Sequence, residues 1–180
     1  MPIVPVDLEF HLSQPAAGRG MEDASAPAES LGGFAATTIW GEDSHGLFPD
    51  ITGSDNERGV LDVRCLFVLN RHEELSLLDA AVWMERKAEG GAFLQLAVDP
   101  TPAQPAKPRG KARGPQALTW DPADPPSLEW RDAEGRRQAL PVGTIPPGHV
   151  KAFWIKRQAH RLPAIKRDFF LLRISGDTTQ

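Results

Sequence analysis

The chain of 180 residues has one cysteine, Cys65, and no tyrosine. A single cysteine can form neither an intrachain disulfide nor a cysteine-based metal site. Long apolar runs are also missing, since the longest, such as residues 65–69, fall far short of the ~20 residues that a membrane-spanning helix requires. The first residues lack the basic region and apolar stretch of a secretory signal. We therefore expect a protein that is made in a cytoplasm and has no membrane anchor of its own.

Proline and glycine are abundant, with seventeen and sixteen copies. They leave little room for long helices, which argues against helical bundles and coiled coils. The remaining composition, 41% hydrophobic and 24% charged, is that of an ordinary soluble globular protein. At this length we expect a single domain that spans residues 1–180.

Charge is distributed unevenly, although the net charge is only −4. Residues 1–90 include sixteen acidic and six basic residues, whereas residues 91–180 include eight acidic and fourteen basic residues. An uneven distribution of loops is one explanation. The alternative is a chain with oppositely charged faces, suited to head-to-tail contacts with copies of itself in a ring. The net acidity argues weakly against a dedicated nucleic-acid-binding protein.

The hydrophobic pattern predicts an all-β fold. Residues 61–70 become apolar on both faces beyond Arg64, which is typical of a central strand. Residues 89–91 (Glu-Gly-Gly) predict a hairpin turn, and residues 47–59 predict successive turns. Short strands at this spacing indicate a β-sandwich or barrel. The other expected strands are residues 6–12, 34–40, 75–78, 80–87, 92–98, 117–120, 128–130, 149–157 and 169–174.

Two segments, at about 13–33 and 99–116, are predicted to be extended arms or long loops. The second contains five prolines and four basic residues, so it cannot be a ladder strand. Its cations must project, and we predict that they bind an acidic neighbouring subunit or nucleic acid; a solvated loop is the alternative. Nucleic acid is the weaker choice, because no aromatic residue lies among the cations. The four basic residues are Lys107, Arg109, Lys111 and Arg113.

A second basic run extends from residue 151 to residue 167 and includes Lys156 and Arg157. Strand alternation puts Phe153 and Ile155 on one face and Trp154 and Lys156 on the other. An exposed Trp154 beside cations would anchor a protein interface, because tryptophan and arginine dominate binding hot spots. Packing of Trp154 beneath a loop is the alternative.

Signatures of catalysis and cofactor binding are missing from the sequence. We find no glycine-rich nucleotide fingerprint, no Walker loop, no zinc-binding helix and no calcium loop. The five histidines are scattered, and we interpret each, including His11, as a surface residue. Cys65 lies on an apolar strand face and is interpreted as a small buried hydrophobe. We therefore expect a non-enzymatic protein with no metal and no cofactor.

Several segments together resemble a family of tailed-bacteriophage virion structural proteins. The turn at 145–149 (Ile-Pro-Pro-Gly-His) is also similar to the turn before a strand in many immunoglobulin-like modules. The resemblance implies an immunoglobulin-like antiparallel β-sandwich and a non-enzymatic role in the virion. It does not extend to residues 13–30 or 99–116. The resembling segments are VDLEFHLS (6–13), LFPDITGSDNERGVLDVRCLFVLN (47–70), LSLLDAAVWME (75–85), LPVGTIPPGHVKAFWIKRQ (140–158) and FFLLRISGD (169–177).

The residues and the resemblance together predict a neck or collar component at the head–tail junction of a virion. Such a protein would form a homo-oligomer, in a ring, and bind portal, connector or capsid proteins of the same particle. A capsid decoration protein or a baseplate protein has the same physical traits and remains an alternative. An alternative of another class is a carbohydrate- or receptor-binding β-module, in which exposed tryptophans stack on sugars.

Overall fold

The computed structural model describes residues 2–15, 21, 25–41, 46–86, 92–107, 109, 113–160 and 169–178. These residues form an all-β fold with one short α-helix, α1 (Gly53–Arg58). In the same part of the chain, no helix has both the length and the apolarity needed to cross a membrane. The strands are β1 (Leu8–Gln14), β2 (Gly32–Ile39), β3 (Leu61–Asn70), β4 (Leu77–Arg86), β5 (Ala92–Val98), β6 (Gln104–Pro105), β7 (Gln116–Thr119), β8 (Leu140–Ile145), β9 (His149–Ala159) and β10 (Leu171–Thr178).

The strands form two antiparallel sheets. The first sheet has the order β5–β9–β3–β1–β2–β7, and the two-residue strand β6 also pairs with β9. The second sheet has the order β10–β4–β8. At the centre of the first sheet, β3 and β9 pair from Leu61 opposite Gln158 to Leu69 opposite Val150. This long ladder explains why both strands show the strongest apolar pattern in the sequence.

Side chains from both sheets meet in one hydrophobic core. Phe153 and Ile155 of β9 are fully buried in it, together with Val82 and Met84 of β4. Because one cluster contains residues of both sheets, the sheets pack against each other through their apolar faces. Phe153 and Ile155 therefore lie on one face of β9, as the alternation predicted.

The other face of β3 is also buried. Val63, Cys65 and Phe67 belong to a second apolar cluster that also includes Trp154. Burial on both faces confirms the prediction that residues 61–70 form a central strand. Burial also raises the pKa of the Cys65 thiol well above its usual value, which confirms its interpretation as a buried hydrophobe. The interpretation of His11 as a surface residue is wrong, because its side chain is buried and its Nδ1 lies 3.1 Å from the Ala36 carbonyl oxygen.

The prediction of turns alone at 47–59 is wrong, because α1 lies within this segment. The backbone N–H of Asp55 donates to Thr52 Oγ1 at 3.1 Å, and that of Thr52 donates to Asp55 Oδ2 at 3.0 Å. This reciprocal capping box satisfies N–H groups that the first helical turn leaves free. Gly59 ends the helix in the left-handed conformation, with φ 64°.

The hairpin predicted at 89–91 is also wrong. Strand β4 belongs to the second sheet and β5 to the first, so the two strands do not pair; residues 89–91 themselves lie outside the described residues. The strand expected at 128–130 is not formed, and nearby Arg131 makes only an isolated bridge to Leu96. The arm predicted at 13–33 is shorter than expected, because both ends of this segment belong to strands. Strand β1 extends to Gln14, and β2 begins at Gly32.

Candidate interaction surface

The outer face of the first sheet is covered by the described residues of segment 99–130, which we call the covering segment. Trp120 and Trp130 pack against the cluster around Trp154. The Trp120 ring lies 6.3 Å from the rings of both Trp130 and Trp154, measured between centroids. Stacked and edge-on aromatic pairs at this separation attract each other beyond the area they bury. The covering segment is therefore packed onto the sheet as part of the fold.

A buried carboxylate, Asp99, holds the start of the covering segment. Asp99 directly follows β5 in the chain and is 0% exposed. Oδ2 accepts hydrogen bonds from Trp154 Nε1 at 2.9 Å and from the Leu118 backbone N–H at 3.0 Å, and Oδ1 accepts from the Thr101 N–H at 2.9 Å. One carboxylate thus joins β9, β7 and the turn after β5, and its charge is compensated by three donors.

Lys151 of β9 supplies the positive charge beside this carboxylate. Its Nζ donates to the carbonyl oxygen of Asp99 at 2.6 Å and to that of Thr101. Burial lowers the pKa of Lys151, and the nearby Asp99 charge acts in the opposite direction. Lys151 belongs to the second basic run of the sequence. Its ammonium group therefore forms hydrogen bonds within the protein.

We call the stretch 105–115 the basic loop, and hydrogen bonds hold its two described ends. The side chain of Gln104 donates from Nε2 to the Gln116 carbonyl oxygen at 2.6 Å and accepts from the Gln116 N–H at 3.3 Å. The Ala106 N–H donates to Gly148 O at 2.9 Å, and Pro115 O accepts from the Ala35 N–H at 2.9 Å. Both ends of the loop are thus tied to the first sheet, and the segment is not a free arm.

The basic loop presents cations to solvent. Lys107, Arg109 and Arg113 are all exposed, as their positions between prolines and glycines predicted. Lys111, the fourth predicted residue, lies outside the described residues. None of the ion pairs between described residues involves these three cations. These three exposed cations can therefore be offered to an acidic surface without breaking an ion pair to another described residue.

The second set of predicted residues does not form an exposed basic face. Trp154 is 0% exposed, so the expectation of an exposed interface anchor is wrong and the alternative, packing beneath a loop, is what the structure shows. Lys156 is half-buried, with Nζ 4.7 Å above the centroid of the Trp130 ring. Burial lowers the pKa of Lys156, and the charge of Asp132 opposes this shift. The covering segment occupies the face on which these two side chains lie.

Arg157 is committed to an internal ion pair. Its Nη2 donates to Asp62 Oδ2 at 2.5 Å and its Nε donates to the same oxygen at 3.2 Å. The guanidinium also lies 4.7 Å from the centroid of the Phe48 ring, near the buried guanidinium of Arg64. Arg157 therefore holds the chain before α1 against the sheet, and of the predicted residues only those of the basic loop remain open to a partner.

Sequence reasoning missed Asp99 and Gln104, the two side chains that position the basic loop. An aspartate before a proline at the end of a strand is typical of an Asx turn, and the bond from Thr101 to Asp99 is that turn. The sequence gives no sign that the other carboxylate oxygen reaches Trp154, because the two residues are 55 positions apart. Gln104 lies among prolines in the segment that we predicted to be an arm. No local sequence pattern marks it as a residue that closes the loop.

No family model matches the chain, and no curated protein matches it.

Proposed function

We propose that this chain is a non-enzymatic structural component of a tailed-phage virion, built on an immunoglobulin-like β-sandwich. In this proposal it lies at the neck or collar, associates with copies of itself, and binds an acidic surface of a connector or portal protein through the basic loop. The proposal rests on the resemblance of its segments to virion structural proteins, together with where those segments lie in the fold.

The observation that supports the proposal best is that the resembling segments are neighbours in space. Residues 6–13, 47–70 and 140–158 include most of β1, all of β3 and most of β9, which are adjacent in the first sheet. Residues 75–85, 140–158 and 169–177 account for nearly all of the second sheet. Segments that form one continuous unit across both sheets are what a shared fold would preserve, whereas unrelated turns would be scattered.

The basic loop supports a protein partner for this unit. Its described cations are exposed, and the Gln104 side chain bonds to Gln116 at its base, which reduces the entropy that the base loses when a partner binds. Complementary charge increases the rate of encounter and fixes the orientation of partners. The loop also lies outside the resembling segments, as expected for a contact that differs from one particle to another.

The carbohydrate-binding alternative is not favoured by the tryptophans. All five lie among the described residues, and each is buried or half-buried. Trp83 donates from Nε1 to Glu85 at 2.6 Å, and Trp120, Trp130 and Trp154 pack on one another. A sugar-stacking platform requires an exposed aromatic face, and none of the five tryptophans is largely exposed.

The proposal is tested by quantitative mass spectrometry of particles purified from the phage that encodes the chain. A copy number close to that of the portal protein is expected. A number close to that of the major capsid protein would replace the neck assignment with a decoration protein, and absence from the particle would refute a virion role.

The contribution of the loop is tested in the same particles. We expect the triple variant Lys107→Glu, Arg109→Glu, Arg113→Glu to fold but to be incorporated about tenfold less, because like charges would face the acidic partner. The matched control reverses two exposed arginines outside the loop, Arg136→Glu and Arg137→Glu, and should be incorporated normally. Equal incorporation of both variants would contradict a role for the basic loop.

A further inference from the structure

Both edges of the first sheet are obstructed by the chain itself. On β7, the outward N–H groups of Gln116 and Leu118 are bonded to the side chains of Gln104 and Asp99. These bonds occupy the groups that an additional strand would need. Since unpaired edges are templates for association, side chains bonded to the edge of β7 block strand addition there.

The opposite edge, formed by β5, is also occupied. Leu96 and Arg131 exchange two backbone hydrogen bonds, each 2.9 Å long. Beside them, Gln95 Nε2 donates to Asp132 Oδ1 at 2.9 Å. A short piece of the chain after the covering segment thus takes the place of a neighbouring strand.

The two edges of the second sheet differ in their backbone. Strand β8 includes Pro141, which has no N–H, and Gly143 with φ 89°. A proline at an edge prevents strand pairing there, because it removes a hydrogen-bond donor. The remaining edge, β10, contains neither proline nor a positive φ over its eight residues, and the register with β4 shifts twice for each of the two edge strands.

The outer edge of β10 is open. Within the described part of the chain, Leu171–Thr178 pairs with β4 and makes no hydrogen bond or ion pair to any other element. Leu172 is buried and Ile174 packs against the core, whereas Arg173 and Asp177 are exposed. The strand therefore offers free backbone groups on its edge and two opposite charges on one face.

These two charges make the strand complementary to itself. When two identical strands pair antiparallel in a continuous sheet, opposed side chains share a face, so the axis of symmetry must pass through one residue. With the axis at Ser175, Arg173 of each copy lies opposite Asp177 of the other. An axis at Leu171, Leu172, Ile174 or Gly176 leaves Arg173 opposite a neutral residue, and an axis at Arg173 itself places it opposite another arginine.

We propose that two copies of this chain associate antiparallel along β10, with the axis at Ser175, so that their second sheets join into one six-stranded sheet. Backbone hydrogen bonds supply the contact, and two Arg173–Asp177 pairs select the register. The dimer uses no residue of the basic loop. It goes beyond the proposed function, since it can form whether or not the chain belongs to a virion.

The register is tested by charge reversal in the full chain, with sedimentation equilibrium as the measurement. Arg173→Glu alone and Asp177→Arg alone each place like charges opposite one another twice, and each should weaken dimerisation by about tenfold or more. The double variant Arg173→Glu, Asp177→Arg restores opposite charges and should dimerise as the wild type does. An equimolar mixture of the two single variants should also recover association, because each pair across their interface is again of opposite sign.

The control is Arg137→Glu, an exposed reversal away from β10, which should leave the dimer unchanged. A monomeric wild type would overturn the proposal, and so would single variants that dimerise normally. Failure of both the double variant and the mixture to recover the dimer would overturn the register. Recovery in the mixture cannot arise from repair of a misfolded monomer, because each chain in it carries only its single substitution.

A cysteine at the axis gives a second readout. Ser175→Cys places two thiols directly opposite, within the range that a disulfide spans, so mild oxidation should yield a covalent dimer. The native Cys65 is buried and should not interfere. The control is Thr119→Cys, an exposed site on the obstructed edge of β7, which should cross-link far more slowly. Equal rates for both variants would contradict a preference for β10.

Discussion

The edges of the two sheets differ in how much of their hydrogen-bonding capacity the chain itself uses. The first sheet is bounded by side chains and by a returning segment, with Asp99 and Gln104 bonded to one edge and Arg131 to the other. The second sheet ends at β10, which pairs on one side only among the described residues. An edge that is obstructed serves the stability of the monomer, whereas an edge that stays unpaired is a place where another chain can add.

The polar residues of the two sheets also differ, because Asp99 and Lys151 at the first sheet are buried and Arg173 and Asp177 of β10 are exposed. In the first sheet a buried carboxylate accepts from a tryptophan N–H, and a buried lysine donates to the backbone carbonyl of the same aspartate, so removal of the carboxylate leaves the tryptophan N–H without its acceptor. In β10 the charged residues are exposed and form no ion pair with any other residue that the structure describes. We therefore expect substitutions at the first sheet to change stability, and substitutions on β10 to change association.

The largest effect is expected at Asp99. Asp99→Ala removes the acceptor for Trp154, Leu118 and Thr101 and leaves the charge of Lys151 buried beside them. A buried donor left without an acceptor costs about 1–3 kcal/mol, and three donors lose this carboxylate, so the free energy of unfolding in urea should fall by about 3–5 kcal/mol. Glu129→Ala, at a side chain that is 88% exposed, is the control and should change it by less than about 0.5 kcal/mol. A loss below about 1 kcal/mol for Asp99→Ala would show that this carboxylate does not hold the covering segment.

A pair of glycines tests the contact between β2 and β7. Gly32 and Gly143 have nearly the same positive φ, 88° and 89°. A Cβ on Gly32 would overlap the Leu118 carbonyl and lie 2.7 Å from Trp154 Cη2, whereas a Cβ on Gly143 would meet nothing within 4 Å.

Substitution of either glycine by alanine carries the cost of a left-handed conformation, about 1–2 kcal/mol. Gly32→Ala should cost about 1–3 kcal/mol more, because the edge strand must move away. The difference between the two variants, measured by thermal or urea unfolding, isolates the contact at the edge. Equal losses would indicate that β7 is displaced easily.

The periodicity of the sequence was sufficient to predict the central strands. Residues 61–70 and 92–98 form strands with the predicted bounds, because most of their apolar side chains are buried or half-buried. Both faces of residues 61–70 are buried. The helix α1 was missed although Thr52 and Asp55 have the spacing of a capping box, since a six-residue helix has no apolar period. Pairing at long range was also missed: the turn residues at 89–91 suggested a hairpin, but the two strands belong to different sheets.

The candidate surface was predictable only in part. Exposure of Lys107, Arg109 and Arg113 follows from local chemistry, because cations between prolines and glycines cannot enter a core. Trp154 and Arg157 lie in an alternating strand, and whether such residues are exposed depends on what covers the sheet. That cover is residues 99–130, whose placement depends on bonds between distant residues, such as Asp99 with Trp154.

The smallest effect is expected at the base of the basic loop. Gln104→Ala removes two hydrogen bonds at a partly exposed site and should lower the free energy of unfolding by less than about 1.5 kcal/mol. The loop should nevertheless open more often, so trypsin should cleave after Arg109 or Arg113 several times faster than in the wild type. Gln116→Ala is a matched control, because the bonds use only the backbone of Gln116, and it should leave the cleavage rate unchanged. Equal cleavage in both variants would show that the Gln104 side chain does not close the loop, and the basic loop would then differ less from the open edge of β10 than its hydrogen bonds suggest.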